Sequence, residues 1–325
     1  MDLSQRFSAA DDNLKLDPDE HKQAVEAHNH LGDVLVAAGV AKRTRLQGSF
    51  ARKTMLPPLH DVDKVIELVD DLRAELEGSS VGPRRAMDII CSTVRPEFPG
   101  AGFEVKKHSL GITLPDGQCD FDAVPAFNDE DGSGWIKIAD TTALSWKPSN
   151  TYALIDAVSA RNQACDGRFV RQVRMVKQVV SVAGISEALP GLHVESFCYE
   201  AITETLAHPD AVAVALTKAT ELLDASYFDP TGADRISDRL QPHQVALAKS
   251  VLVVKAARAV QALRLAGDGD EQGAALIWAE LLGEVFPSPA DEEREALRRL
   301  HAAPILVPAA AAVAATPTRA WGRSV

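Results

Sequence analysis

Gly48-Ser49, Asp61-Val62-Asp63 and Asp120-Phe121-Asp122 are the residues of this 325-residue chain whose types and spacing could do chemistry. Gly48 can take backbone angles closed to other residues, so main-chain N–H groups there can approach phosphate oxygens. Ser49 adds a hydroxyl donor and could cap a helix starting at that point, where the helix dipole favours an anion. Along a strand the side chains alternate, so Asp61 and Asp63 share one face and Val62 takes the other. Carboxylates are the hard ligands that magnesium prefers. Two such ions roughly 3.5 to 4 Å apart stabilise both the attacking hydroxyl and the leaving pyrophosphate of an in-line displacement. The chemistry this set predicts is nucleotidyl transfer with no covalent enzyme intermediate.

The elements that must position these groups follow from the residues between them. Ser49 lies twelve residues before Asp61, and the intervening Pro57-Pro58 forbids one continuous helix. Val65-Ile66-Glu67-Leu68-Val69, after Asp63, has strand composition. A short helix, a loop and a strand with carboxylates at its start is the expected order. The third acid is reached through a hairpin, in which 108–114 and 118–124 flank Pro115-Asp116-Gly117, a tight-turn signal. Alternation places Asp120 and Asp122 on one face, opposite Cys119, Phe121 and Ala123, and does not choose between the two acids. His60 beside Asp61 reads as a loop residue outside the ligand set.

Taken together, Gly48-Ser49-Phe50-Ala51-Arg52-Lys53-Thr54, Asp61-Val62-Asp63-Lys64-Val65 and Asp122-Ala123-Val124-Pro125-Ala126-Phe127 resemble the bacterial CD-NTases. These are the oligonucleotide cyclases of CBASS anti-phage signalling, related to cGAS and oligoadenylate synthetase. Trp146-Lys147-Pro148-Ser149-Asn150, Val173-Arg174-Met175-Val176-Lys177, Ser196-Phe197-Cys198-Tyr199-Glu200, Asp229-Pro230-Thr231-Gly232 and Phe286-Pro287 extend the resemblance over roughly residues 40–290. It implies an α+β fold, with a polymerase-beta-like nucleotidyltransferase core and a helical second lobe. It selects Asp122, which opens Asp-x-Val-Pro, over Asp120. It further implies that Asp61, Asp63 and Asp122 hold two Mg2+ ions, or Mn2+, that Gly48 and Ser49 hold the β- and γ-phosphates, and that Lys177 and Ser196 assist from the helical lobe. The implied substrates are nucleoside triphosphates and the implied product a cyclic di- or oligonucleotide, with CBASS accessory proteins as partners. Lys64, Phe197 and Cys198 depart from the family pattern. A transferase acting on a small molecule or an RNA end would use the same three acids with a different acceptor pocket.

Composition suits such an enzyme. The net charge of −12 disfavours a broad surface for long nucleic acid but is compatible with magnesium nucleotides. Cys91, Cys119, Cys165 and Cys198 are isolated, which argues against a zinc site or a disulfide framework and fits reduced thiols in the cytoplasm. Residues 1–20 are polar and show no signal peptide. The longest apolar stretch, 302–315, is interrupted by Pro304 and Pro308, so no membrane span is expected.

The expected organisation is a catalytic lobe over 1–150 with an N-terminal helix at 20–40, a helical lobe over 151–301 and a flexible tail over 302–325. Val25, His28, Leu31, Val34, Leu35 and Ala38 set the helical spacing of 20–40, with Gly39 as its stop. A strand is expected at 43–47 and a helix within 81–98. Further helices are expected over 152–163, 168–183, 196–206, 210–225, 242–266, 273–285 and 290–300. Arg168, Arg171, Arg174 and Lys177 recur every three residues. They read either as a solvated helix face or, for Lys177 above all, as a positive face aimed at a triphosphate.

Overall fold

Period-two apolar alternation builds the first half of the chain and helical periodicity the second. The computed structural model describes residues 1–59, 61–115, 120–129 and 134–291. His60, the Asp116-Gly117 turn, Cys119, the expected helix beyond residue 291 and the 302–325 tail lie outside them. Met1–Ser288 form one compact unit. Among the described residues no helix is long and apolar enough to cross a membrane.

Two helices, α1 (Leu3–Asn13) and α2 (Pro18–Ala37), precede the sheet. Asp17 caps α2 by accepting from the N–H groups of Asp19 and Glu20, and Pro18 fits its first turn, so the helix starts two residues before the expected position. Gly39, with φ of 70°, ends it as expected. There follow β1 (Ala41–Leu46), α3 (Gly48–Ala51), β2 (Asp61–Leu68), α4 (Arg73–Glu77), α5 (Gly82–Val94), β3 (Gly102–Val105), β4 (Leu110–Thr113), β5 (Asp120–Asn128), β6 (Ile136–Asp140) and β7 (Ser145–Ser149). The strands run in the order β1-β2-β5-β4-β3, and β6 and β7 continue from the far end of β5. All neighbours are antiparallel except β2 and β5, which are parallel.

Alternation divides the sheet. Val62 and Ile66 of β2, with Phe121, Ala123 and Phe127 of β5, join Leu31 and Leu35 of α2 and Met87 and Ile90 of α5 in one buried cluster. Asp61, Asp63, Val65 and Glu67 therefore point to the other face, as do Asp122 and Ala126. Val65 and Ala126 pack there with Ile136, flanked by Tyr152. Glu67 is buried and paired, accepting from Tyr152 Oη at 2.7 Å and Arg43 Nε at 2.7 Å, so it anchors the helix that follows the sheet.

From residue 151 the chain is helical: α6 (Thr151–Ala164), α7 (Phe169–Val182), α8 (Gly191–Ala201), α9 (His208–Leu222), α10 (Pro242–Gly267) and α11 (Glu271–Leu282). The shift from strands to helices is the α+β organisation expected. Helix α8 begins five residues before the expected 196, directly after Pro190, because Leu192 to Val194 are needed in the core beside Phe197. The sequence reading did not anticipate α1. Its Phe7 packs edge-on against Trp278 and Phe286, each at 5.1 Å between ring centres. Its buried Asp11 accepts from Arg174 at 2.9 Å and lies 3.5 Å from Arg171. Along the three-residue repeat of cations, Arg168 and Arg171 stay exposed, as a solvated face requires, whereas Arg174 and Lys177 are drawn into contacts. Arg174 binds an acid of α1, and Lys177 is committed as described below.

Candidate active site

The parallel pairing of β2 and β5 sets the site. Its register matches Asp61 with Asp120 and Asp63 with Asp122, so the two strands present carboxylates side by side on the face away from α2 and α5. The hairpin that leads to the third acid forms as expected, with β4 and β5 antiparallel and Gly111 opposite Asp122. Asp61 stands exposed at the mouth of β2, whereas Asp63 is partly buried.

Gly48 closes against this pair. It has φ of 71°, and a β-carbon placed on it would stand 1.8 Å from Asp63 Oδ2. Only a residue without a side chain lets the turn lie flush on the carboxylate. Gln47 N–H donates to the Asp63 carbonyl at 2.9 Å, and Thr54 N–H to that of Ser49 at 2.9 Å, fixing both ends of the turn. The cap position of α3 is Gln47, so Ser49 sits inside the first turn and does not serve as the cap.

The charges are unevenly compensated. Burial pushes the Asp63 carboxyl up to about 6, and Asp122 and Asp61 push the same way against Arg52 and Lys106. Lys106 Nζ lies 2.8 Å from Asp122 Oδ1, an ionic contact without an aligned hydrogen bond. Burial alone would lower the Lys106 ammonium, but Asp122 and Asp61 hold it above the usual lysine range. The sequence reading passed over Lys106. Its place on the acid depends on the hairpin joining β3 to β4, closed by Lys106 N–H to the Ser109 carbonyl at 2.8 Å. It depends equally on Gly111, where a β-carbon would stand 2.8 Å from Lys106 Cε.

Lys177 lies in a buried network with Arg52, whose charge also acts on Asp63, and Ser196 follows the acid of that network on α8. Lys177 Nζ donates to Glu195 Oε1 at 2.7 Å, to the Thr54 carbonyl at 3.1 Å and to Thr54 Oγ1 at 3.2 Å. Arg52 Nε donates to Glu195 Oε2 at 2.6 Å and Thr54 Oγ1 to Glu195 Oε1 at 2.8 Å. Burial would raise the Glu195 carboxyl, but Lys177 and Arg52 outweigh it and hold it at about 2. Ser196 is buried, and its hydroxyl donates to the Leu192 carbonyl of its own helix at 3.0 Å. Arg52, Thr54 and Glu195 were not singled out in the sequence, since a single acid 141 residues from its threonine partner leaves no local pattern.

Hard oxygen donors in register, mutually repelling and short of positive charge, suit a divalent cation. Asp63 and Asp122 are the adjacent pair and Asp61 the acid at the strand mouth. With the side chains as they stand, no group of three or more His, Cys, Asp or Glu converges on a metal position among the described residues. Asp122 is engaged by Lys106 instead. A groove of about 600 Å³, lined by Gln23, His30, Phe98 and Leu114 among others, contains none of the three acids.

Residues 1–162 match the family described as the Second Messenger Oligonucleotide or Dinucleotide Synthetase domain. No curated protein matches the sequence. Among solved structures, CdnC of E. coli MS115-1 with ATP shares the fold at a TM-score of 0.68 and 15% identity, over 89% of this chain and 99% of that one. The CD-NTase CdnG of Bradyrhizobium diazoefficiens in complex with GTP gives 0.66 and 16%, over 85% and 97%. E. coli DncV in its 3′-deoxy GTP bound form gives 0.58 and 14%, over 74% and 69%. CdnC is also known as a complex with HORMA-deltaN, at a TM-score of 0.68 and 15% identity.

Proposed function

This chain belongs to the second-messenger oligonucleotide or dinucleotide synthetases, the bacterial CD-NTases, and from that premise we propose that it joins nucleoside triphosphates into a cyclic di- or oligonucleotide, releasing pyrophosphate, in anti-phage defence. The observation that carries the reading is the in-register pairing of Asp63 with Asp122 beneath the Gly48 turn. Asp61, Asp63 and Asp122 are the residues that would hold two Mg2+ ions, or Mn2+. Such ions supply Lewis-acid activation of a ribose hydroxyl and neutralise the leaving pyrophosphate.

The chain's own residues do the rest. The Gly48-Ser49 turn, flush on Asp63, presents main-chain N–H groups and a hydroxyl to the β- and γ-phosphates. Lys177 serves the same turn indirectly: by gripping Thr54 and Glu195 it fixes the Arg52–Thr54 segment that follows α3. Ser196, next to Glu195 on α8, has its hydroxyl bonded to the Leu192 carbonyl and would have to turn from it to reach a phosphate. CdnC is known in complex with HORMA-deltaN, and we propose an accessory protein of the CBASS type for this chain as well.

Incubation of the purified protein with radiolabelled nucleoside triphosphates in all pairings, with Mg2+ or Mn2+, tests the reading. The expected product resists phosphatase and has the mass of two or more nucleoside monophosphate units without a terminal phosphate. Activity on an RNA end or an aminoglycoside, with nucleoside triphosphates alone left unreacted, would replace the cyclase reading with a transferase acting on another acceptor.

A further inference from the structure

Lys106 already occupies one of the two carboxylate oxygens that Asp122 could offer a cation. Its ammonium is 2.8 Å from Asp122 Oδ1 and reaches it over Gly111, the residue paired with Asp122 across the ladder. The side chain is 40% exposed, so it has room to leave without disturbing the core. Lysine is a compact, strongly hydrated point charge on a flexible stem, suited to an ion pair that must be given up. A bare divalent cation arriving at Asp122 takes from Lys106 its one direct ion-pair contact and offers none in return. A metal bound to a nucleoside triphosphate brings phosphate oxygens, to which the freed ammonium can turn while the hairpin keeps it at the site.

We propose that Lys106 is a displaceable internal counter-cation: it neutralises Asp122 until metal and nucleotide arrive together, and so keeps bare metal from loading the site first. This rests on the reading of Asp122 as a metal ligand given above.

The test is Mn2+ binding to the purified full chain, followed by electron paramagnetic resonance of free Mn2+, with and without a non-hydrolysable ATP analogue. Without nucleotide, Lys106→Met should bind Mn2+ at least about fivefold more tightly than wild type, the equivalent of one lost partly exposed ion pair. Lys106→Arg, which keeps the charge, should stay close to wild type. Gly111→Ala keeps the lysine but crowds its Cε, and should shift affinity in the same direction as Lys106→Met. With the analogue present the difference between Lys106→Met and wild type should shrink. Equal or weaker binding by Lys106→Met, with Asp122→Asn still abolishing binding, overturns the counter-cation role and leaves the two-metal reading in place. Mn2+ binding unaffected by Asp63→Asn and by Asp122→Asn overturns both.

Discussion

Gly48 and Asp63 touch: the α-carbon of the glycine lies so near the carboxylate that a single added carbon would overlap its Oδ2, at 1.8 Å. Backbone of the turn and side chain of the strand are thereby one rigid unit. The conformation at Gly48, φ of 71°, adds a second reason for glycine, since a side chain there costs about 1 to 2 kcal/mol.

Gly48→Ala should therefore reduce turnover by at least about 10², because a displacement near 1 Å at a reacting centre is that costly. Circular dichroism should show retained secondary structure. An alanine variant with near wild-type turnover in the nucleotide assay would mean that the turn does not need to lie on Asp63.

The parallel register gives each of the two acids that alternation left equivalent its own partner, Asp61 for Asp120 and Asp63 for Asp122. Asp122→Asn should cost at least about 10² in turnover, as loss of a metal ligand does, and Asp120→Asn much less. Turnover of the two variants under matched conditions decides this. The opposite order of sensitivity would shift the ligand role from Asp122 to Asp120, two pairs along the ladder and across from Asp61.

Asp63 gives the fold a pH dependence in the absence of metal. Its folded value of about 6 lies above the ordinary 3.8, so the folded protein holds the proton more tightly than the unfolded chain. That contribution to stability is complete below about 3.8 and is lost as pH rises through about 6. Denaturant melts from pH 4 to 7 should show less of this decline in Asp63→Asn than in wild type. Identical profiles would show that Asp63 is not under electrostatic stress.

The network around Glu195 should prove costly to break. Glu195→Gln leaves the Lys177 ammonium and the Arg52 guanidinium buried without their carboxylate, for which loss of about 3 to 5 kcal/mol is expected. Because Glu195 is held at about 2, well below the ordinary 4.5, its contribution is present above 4.5 and fades as pH falls towards 2. Urea unfolding of the variant at neutral pH measures the first statement, and acid titration of wild type the second. A loss below about 1 kcal/mol would place these charges in solvent, contrary to the burial of Glu195.

Much of the site is local in the chain, and that part was legible. Period-two spacing put Asp61 with Asp63 and Asp120 with Asp122, and the buried Val62, Phe121 and Ala123 on the other face confirm the phase. The hairpin between β4 and β5 was visible in its turn residues. The parallel contact between β2 and β5 was not, because it joins segments some sixty residues apart with no turn to announce it. Lys106 was invisible for a related reason: its role depends on an absence, the missing side chain of Gly111 on the neighbouring strand. For Lys177 the basic repeat suggested a solvated face or one aimed at a triphosphate, and its pairing was not legible because the acid, Glu195, sits on the next helix. Helix α1 was missed because residues 3–13 are mostly polar and only Phe7 and Ala10 among them are buried apolar side chains.

The socket for Phe7 has a consequence for how the protein is made. Helix α1 leaves the ribosome about 270 residues (278 − 7 = 271) before Trp278 and Phe286, the rings it packs between. At about 5 to 20 residues per second the first helix waits on the order of tens of seconds for its seat. Late in that interval the sheet has all its strands, while α1 still lacks the closing helix that seats it. Biogenesis is thus ordered in time: the Gly48 turn and the α7 and α8 residues that hold its following segment are made well before the rings that seat α1.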